Sequence, residues 1–450
     1  MSEIPSDLPP LPFQRPEPTA AFFGGGRRAE YPYAVMYRGE FETPWDGTAV
    51  AVRAHARALA GAGIPVLLRS YTASVTDEHG VIRPAHSIDP DPDVAREVGK
   101  LQLTTASEYF PIIHHLVVAN AEHLKRTVMP QGALGGTFEE QAGLRQRIYD
   151  ATVVYSVWER SLVDPAIVKI LSRVAECWVP CHANARMLAS SGVPQEKIFV
   201  VPHPYDPSDP ILKLRRRKAD ASWKKFYSIG RWEPRKGYAE LVGAFLMEFT
   251  PKDNAILTIK YTGGKWPGYK TPEEVMAASA VDPYFKARGW TPEKIRERVK
   301  LIEGRFPRQA ILELHYRNNI YVSSSHGEAW NLPAFEAALA GNNVCYVPSG
   351  GVEDYLGNGH SVVAPRGLEP VPRSYGWEPN AEWVRYDLSA LGSALKRAWA
   401  PGRHDRPDSI DLERHTLTSV GRLMQRRVLE RAKRSTTALY LDYAARASST

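Results

Sequence analysis

Two glutamates with seven residues between them, Glu328 and Glu336, stand where a strand passes into a helix. The β-branched run at residues 320–325 predicts a buried strand, and the Ala-rich run at 334–340, with Pro333 before it and Gly341 after it, predicts a helix. Glu328 then lies in the loop at the carboxyl end of the strand and Glu336 in the first turns of the helix. Free backbone N–H groups and the positive end of the helix dipole face the same crevice, which favours a phosphate there.

The whole string IYVSSSHGEAWNLPAFEAALAG resembles the signature of retaining nucleotide-sugar glycosyltransferases with two Rossmann-like domains (GT-B), in particular glycosyltransferase family 4. The matching residues are His326, Gly327, Glu328, Pro333, Glu336, Ala337, Ala340 and Gly341. Ala329 departs from the pattern, since the family usually has glycine there. The alternative is an ordinary buried strand and helix with a solvated glutamate.

The resemblance implies a role for each matching position. Glu328 is expected to hold hydroxyls of the donor sugar, and Glu336 the ribose diol of the nucleotide. The amides of Asn331 and Leu332 are expected to contact the sugar or the phosphate, with His326 and Gly327 also on the donor side.

A second block, from residue 225 to residue 249, resembles the family's GR…KG segment. The resemblance implies that Arg231 and Lys236 grip the donor diphosphate, with Arg235 as a competitor for either role. Breaking the sugar–phosphate bond builds negative charge on the departing nucleotide, and fixed cations in a dry cleft stabilise that charge. We therefore expect Arg231, Lys236 and Glu328 to act in catalysis.

The elements that must position these residues alternate between strand and helix, which predicts an α/β protein with doubly wound parallel sheets, the GT-B fold. In the first half, residues 33–41 read as a strand and 49–62 as a helix, and Gly47 lies in the loop between them. Gly47 would let the backbone approach the donor phosphates, although a mere turn explains it nearly as well. No G-x-G-x-x-G fingerprint is present, so a dehydrogenase gets no support.

Three further residues of the first half are candidates for contacts to the sugar or the acceptor. His114 and His115 lie in a predicted strand at residues 109–118, and because neighbours in a strand face opposite ways the sequence does not say which one faces the cleft. A histidine simply hydrogen-bonded in the core is the alternative. Glu159 ends a predicted strand at 149–159, where it could orient an acceptor hydroxyl or be a surface charge.

Two patterns that suggest a metal are rejected on physical grounds. Residues 89–93 alternate Asp with Pro, and this extended path does not converge carboxylates on an ion. Cys177, Cys181 and His182 lack a second cluster that would complete four zinc ligands. We expect no metal and no cofactor besides the nucleotide sugar, which is a co-substrate.

A chain of 450 residues is too long for one core. We expect a Pro/Gly-rich tail at 1–30, an acceptor-side Rossmann-like domain at 31–207 and a linker at 208–222. A donor-side Rossmann-like domain follows at 223–410. Helices at 411–450 are expected to cross back to the first domain.

Composition indicates the cellular compartment but does not identify the anionic partner or the acceptor. No apolar run reaches membrane-spanning length, and three cysteines argue against a disulfide framework, so we expect a cytoplasmic protein. The formal charge of +7 suits anionic donors, phospholipid surfaces or nucleic acid without discriminating among them. The expected activity is retaining, metal-independent transfer of a hexose-type sugar from a nucleoside diphosphate sugar, for example a UDP-sugar, to a hydroxyl of a glycan, lipid, protein or modified nucleobase. A non-catalytic nucleotide-sugar-binding or scaffold protein with the same fold is the alternative.

Overall fold

The computed structural model describes residues 30–43, 46–70, 74–76, 82–84, 92–102, 104–129, 137–216, 223–357, 360–376, 380–398 and 410–434. The strands are β1 Glu30–Arg38, β2 Val66–Arg69, β3 Ser74–Thr76, β4 Ile82–Pro84, β5 Thr105–Leu116, β6 Thr152–Ser156, β7 Glu176–Val179, β8 Ile198–Val200, β9 Lys224–Arg231, β10 Ala255–Thr262, β11 Val299–Glu303, β12 Ile320–Ser323, β13 Asn343–Tyr346, β14 Ser361–Val362, β15 Pro365–Pro370 and β16 Glu382–Tyr386. The α-helices are α1 Gly47–Gly61, α2 Pro92–Gln102, α3 Ala121–Val128, α4 Phe138–Ala151, α5 Pro165–Leu171, α6 His182–Ser190, α7 Tyr238–Glu248, α8 Pro272–Val281, α9 Pro283–Ala287, α10 Pro292–Arg298, α11 Arg308–Arg317, α12 Leu332–Leu339, α13 Val352–Tyr355, α14 Leu388–Ala398 and α15 Leu417–Arg434.

The first domain is built on a six-stranded sheet with the order β2-β1-β5-β6-β7-β8. All of its pairings are parallel. Strand β2 pairs with one edge of β1, and β5 pairs with the other edge. The strand order therefore reverses between β1 and β5. Ligands of open α/β sheets bind at the carboxyl ends of the strands at such a switch point.

The second domain is built on another six-stranded sheet, with the order β11-β10-β9-β12-β13-β14. Its pairings are also parallel, and its switch point lies between β9 and β12. Apolar side chains pack on both faces of this sheet, because α7 and α14 cover one face and α11 and α12 the other. These two sheets confirm the predicted α/β architecture of paired Rossmann-like units.

The chain passes between the domains twice, and the two crossing segments pair with each other. The Tyr205 amide donates to the His415 carbonyl at 2.8 Å, and the Leu417 amide donates to the Tyr205 carbonyl at 2.9 Å. Helix α15 then packs on α1, where Val420 and Met424 share a core with side chains of the first domain. The last described helix therefore belongs structurally to the first domain.

Several expected boundaries differ from the observed ones. The segment predicted as a strand from residue 149 begins as the end of α4, and β6 covers only Thr152–Ser156. Part of the expected linker is a 3-10 helix, Pro210–Arg216, whose Ile211 and Leu214 are buried in the second core rather than solvated. The tail at 1–29 and most of the Asp-Pro run lie outside the described residues; Asp93 itself is in the first turn of α2.

Candidate active site

The site forms at the switch point of the second sheet, where the segments after β9 and β12 meet. After β9 the chain makes a 3-10 turn, Pro234–Lys236, and enters α7. After β12 it runs through Glu328 to Asn331, which adopts the left-handed conformation (φ 64°) and caps α12 by accepting from the Ala334 amide. The Asn331 amide group also donates to Ser323 Oγ at 2.8 Å, which ties the cap to the end of β12. Each strand end thus delivers its charged residues to one place.

Charged side chains from these two segments form a buried cluster. Lys236 Nζ pairs with Glu328 Oε1, and Arg235 Nη1 lies 3.3 Å from Glu328 Oε2. Arg235 Nη2 also donates to Glu233 Oε1 at 2.6 Å. The Glu328 side chain is only 4% exposed. Two cations therefore hold one buried carboxylate in a fixed orientation.

This arrangement keeps Glu328 ionised. Burial by itself would raise its pKa, but Lys236 and then Arg235 lower the pKa of Glu328 below its ordinary value. Burial likewise acts to lower the pKa of Arg235, but the surrounding carboxylates raise it above its ordinary value. An ionised carboxylate accepts hydrogen bonds and does not donate them, so Glu328 suits the hydroxyl groups of a sugar.

Glu159 reaches this cluster from the first domain. Its Oε1 lies 3.1 Å from Arg235 Nη1, so an ion pair joins the two domains. The Glu159 carbonyl also touches Gly327: a Cβ at Gly327 would lie 2.3 Å from that oxygen, so this contact requires glycine. Burial raises the pKa of Glu159, and the nearby carboxylates of Glu328 and Glu233 add to the effect.

A backbone contact beside Glu159 makes the interface continuous. The Ser161 amide donates to the Glu382 carbonyl at 3.0 Å, and the Glu382 amide donates to Ser161 Oγ at 2.9 Å. Glu382 begins β16, which pairs with β15 in an antiparallel hairpin of the second domain. The loop after β6 is therefore held against the site at two points.

The two cations that the sequence predicts for the diphosphate, Lys236 and Arg231, lie in different surroundings. Lys236 lies in the cluster, whereas Arg231 is exposed at the end of β9. Arg235, a competitor in the sequence, takes the buried position together with Glu233, which sequence reasoning missed. The signal that was available is Pro234, which favours the start of a turn, with Gly237 three residues later; Glu233, Arg235 and Lys236 then share one short turn, in which successive side chains point in different directions.

Glu336 lies on α12 with partners that the sequence did not predict. Arg308 Nη1 pairs with Glu336 Oε1, and Arg308 Nη2 lies 3.0 Å from Asp209 Oδ2 in the first crossing segment. His315 Nε2 is 3.5 Å from Glu336 Oε2, and His315 Nδ1 lies 2.7 Å from the Tyr227 hydroxyl. Burial opposes ionisation, but Arg308 and then His315 lower the pKa of Glu336 to about 2. Glu336 is therefore a fixed anion connected through Arg308 to the domain crossing.

Gly47 lies across the cleft from the amino end of α12. A Cβ at Gly47 would lie 3.4 Å from Leu332 Cδ1, so the start of α1 contacts the first residue of α12. The leading amides of a helix have no intrahelical acceptor, so the amide of Leu332, at the start of α12, needs an acceptor from outside the helix. His326, in contrast, is 7% exposed, with Nδ1 2.7 Å from the Val384 carbonyl and its ring stacked on Trp383 and Tyr386.

His114 and His115 are both buried in the first domain. The Tyr37 hydroxyl lies 2.9 Å from His115 Nδ1, and the His115 ring lies 4.1 Å from Tyr155 and 5.4 Å from His55. Burial and then the charge of Arg38 lower the pKa of His114 to about 3. Both rings are therefore neutral, and their contacts here lie within the first domain.

The other candidate metal residues have structural roles. Cys181 caps α6, and both the amide and Nδ1 of His182 lie 2.8 Å from Asp354 Oδ2 of the second domain. Within the described ranges, no group of three or more His, Cys, Asp or Glu side chains is placed to hold a metal ion. None of the helices in those ranges is long and apolar enough to cross a membrane.

The sequence matches no family model and no curated protein. The structure is similar to HepE of Anabaena in complex with UDP, with a TM-score of 0.54 and 12% identity over 88% of this chain and 100% of that chain. It is also similar to sucrose-phosphate synthase from Thermosynechococcus elongatus, with a TM-score of 0.51 and 14% identity over 90% and 100% of the two chains. A third similar structure is α,α-trehalose 6-phosphate synthase from Burkholderia multivorans, with a TM-score of 0.52 and 13% identity over 89% of this chain and 98% of that chain. The fold shared with these proteins is GT-B.

Proposed function

We propose that this chain is a retaining glycosyltransferase that moves a hexose-type sugar from a nucleoside diphosphate sugar, such as a UDP-sugar, to an acceptor hydroxyl. The observation that carries the proposal is the buried Lys236–Glu328–Arg235 cluster at the switch point of the second sheet. Such a cluster offers a fixed anion to sugar hydroxyls and fixed cations to a diphosphate. The similar HepE structure contains UDP, in agreement with this class of ligand.

In the proposed reaction each residue has a defined task. Glu328 accepts hydrogen bonds from the donor sugar, while Lys236, exposed Arg231 and the leading amides of α12 surround the diphosphate. Glu336 accepts from the ribose hydroxyls. The bond between the anomeric carbon and the diphosphate breaks, the acceptor oxygen bonds to that carbon on the same face, and the hydroxyl proton passes to the departing phosphate. The cations stabilise the charge that develops on the leaving group.

No divalent metal is needed in this scheme, because Arg231 and Lys236 supply the positive charge that a metal would otherwise provide. Turnover in the presence of a chelator is expected to equal turnover without it. Activity lost to the chelator and restored by manganese would contradict this part of the proposal.

Donor hydrolysis without acceptor tests the function directly. The protein is incubated with UDP-glucose and other nucleotide sugars, and release of nucleoside diphosphate is followed by mass spectrometry, with Lys236→Ala as the control. Slow release by the wild type that is lost in the variant supports the proposal. Tight binding of nucleotide sugar with no release under any condition supports a non-catalytic binding or scaffold protein instead. With an acceptor in hand, the anomeric configuration of the first product, read by NMR, decides between retention and inversion.

A further inference from the structure

An antiparallel hairpin of the second domain holds the charged cluster without belonging to it. The hairpin consists of β15, β16 and the 3-10 turn Arg373–Tyr375 that precedes β16. The Tyr375 hydroxyl accepts a hydrogen bond from the Arg235 amide at 2.9 Å. Because Lys236 is the next residue along the chain, this bond fixes the middle of the turn that delivers both cations to the cluster.

The same hairpin also holds the loop after β12. The Tyr386 hydroxyl donates to the Ser324 carbonyl at 2.6 Å, and the Val384 amide donates to the His326 carbonyl at 2.9 Å. Ser324 Oγ donates in turn to the Lys236 carbonyl at 2.7 Å. The turn after β9, the loop after β12 and the hairpin are therefore joined in one hydrogen-bonded unit.

Strand β16 connects this unit to the first domain. Its first residue, Glu382, exchanges two hydrogen bonds with Ser161, at 3.0 and 2.9 Å. Val384 and Tyr386, which hold the loop after β12, lie further along the same strand. Because a paired strand moves as a stiff element, a displacement of Glu382 is passed to Val384 and Tyr386. The hairpin therefore links the first domain to the position of the charged cluster.

We propose that the hairpin is a positioning device through which contact between the domains sets the geometry of the cluster, with Tyr375 as the positioning residue. While β16 is bonded to the first domain, the hairpin holds Arg235 and Lys236 in the arrangement described above. When the domains part, β16 loses that anchor and the turn at residues 233–237 gains freedom. The catalytic consequence rests on the proposed function: cleavage of the donor is confined to the arrangement in which the first domain is in place.

Hydrogen exchange of the full chain, followed by mass spectrometry, tests the role of Tyr375 without any substrate. Tyr375→Phe removes the acceptor of the Arg235 amide and keeps the ring, whose centroid lies 4.6 Å from that of Trp266. Exchange at residues 233–237 should become about 3- to 10-fold faster, as loss of one neutral hydrogen bond predicts. A melting temperature confirms that the variant is folded. Exchange at the wild-type rate overturns the role of Tyr375.

Ser161→Ala tests the coupling between the domains. It removes the side-chain acceptor of the Glu382 amide and leaves the backbone bond in place. Exchange at residues 233–237 should become about twofold faster or more. His182→Ala is the matched control, because it removes the side-chain half of another contact between the domains, from His182 Nδ1 to Asp354 Oδ2, and leaves the backbone half. Equal effects of the two variants, or no effect of Ser161→Ala, overturn the coupling.

A double variant decides whether the coupling runs through the hairpin. Glu159 also contacts Arg235, so Ser161→Ala could act along the loop after β6 instead. If the hairpin carries the effect, Ser161→Ala should add little to the faster exchange of Tyr375→Phe, since the link to the Arg235 amide is already broken. Additive effects overturn the role of the hairpin.

Release of nucleoside diphosphate reads the catalytic consequence, with UDP-glucose or whichever nucleotide sugar the wild type cleaves. Tyr375→Phe should lower kcat about 10-fold and leave KM within about threefold of the wild type, because Tyr375 acts on the cations and not on the donor. A higher KM with an unchanged kcat overturns the positioning role. A wild type that releases no nucleoside diphosphate overturns the proposed function, and the exchange measurements then decide the coupling by themselves.

Discussion

The carboxylate of Glu159 and the guanidinium group of Arg235 lie 3.1 Å apart across the boundary between the two domains. Glu159 follows β6 of the first sheet, and Arg235 follows β9 of the second. Arg235 also contacts Glu233 and Glu328, so one guanidinium group connects the first domain to the residues proposed to hold the donor.

The Lys236→Ala variant should lose transfer activity by roughly two or more orders of magnitude, because it removes a cation that stabilises the departing diphosphate. Steady-state rates with a saturating nucleotide sugar measure the loss. Lys252→Ala is the matched control, since Lys252 is exposed in the same domain. Near-normal turnover in Lys236→Ala would refute the assignment of the site.

The Arg235→Met variant should lower the free energy of unfolding by about 3–5 kcal/mol, because it keeps the volume but leaves buried carboxylates without their counter-charge. Urea denaturation followed by fluorescence measures the change. Arg366→Met removes an exposed pair with Asp387 and should cost only about 0–1 kcal/mol. Equal effects of the two substitutions would show that Arg235 is not the structural centre of the cluster.

The Gly327→Ala variant should separate the domains at the site, because its Cβ would lie 2.3 Å from the Glu159 carbonyl oxygen. Transfer should fall strongly, because the segments after β6 and β12 no longer meet at the site. Small-angle scattering reports the separation, and steady-state rates report the transfer. Gly264→Ala, whose Cβ would meet only neighbours at 3.6 Å or more, is the control. If Gly327→Ala has the transfer rate and the scattering profile of the wild type, the close contact between Gly327 and the Glu159 carbonyl is contradicted.

Stability should fall as the pH drops below about 6.5, the ordinary histidine pKa, because five histidines are buried in the neutral form. Burial is the largest cause of the lowered pKa in each of them. The pKa is about 4 for His55 and His415 and about 3 for His114, and it lies well below the ordinary value for His115 and His203. Between pH 6.5 and about 4 the unfolded chain binds more protons than the folded chain, so stability rises with pH in this window.

Melting temperatures measured from pH 7.5 to pH 4.5 test this expectation. His55→Gln removes one of the buried groups, so its melting temperature should depend less steeply on pH than that of the wild type, whatever its value at pH 7.5. A flat profile between pH 6.5 and pH 5 in the wild type would show that the histidines are not buried as neutral rings.

The sequence by itself determined the local features of this protein. The period of its apolar residues, Pro333 and Gly341 predicted the strand, turn and helix that carry Glu328 and Glu336, and the alternation of such units predicted the two doubly wound sheets. These features depend on residues that are a few positions apart, so the sequence pattern is sufficient to predict them.

Only the tertiary structure decided which charges meet. Arg235 and not Arg231 occupies the buried position, Arg308 connects Glu336 to Asp209, and Glu159 reaches the site from the other domain. The partners in the pairs Glu159–Arg235, Arg308–Glu336 and Asp209–Arg308 are 76, 28 and 99 positions apart in the chain. No local pattern encodes such pairings, because they arise when two sheets and the crossing segments pack together and buried charges must find counter-charges.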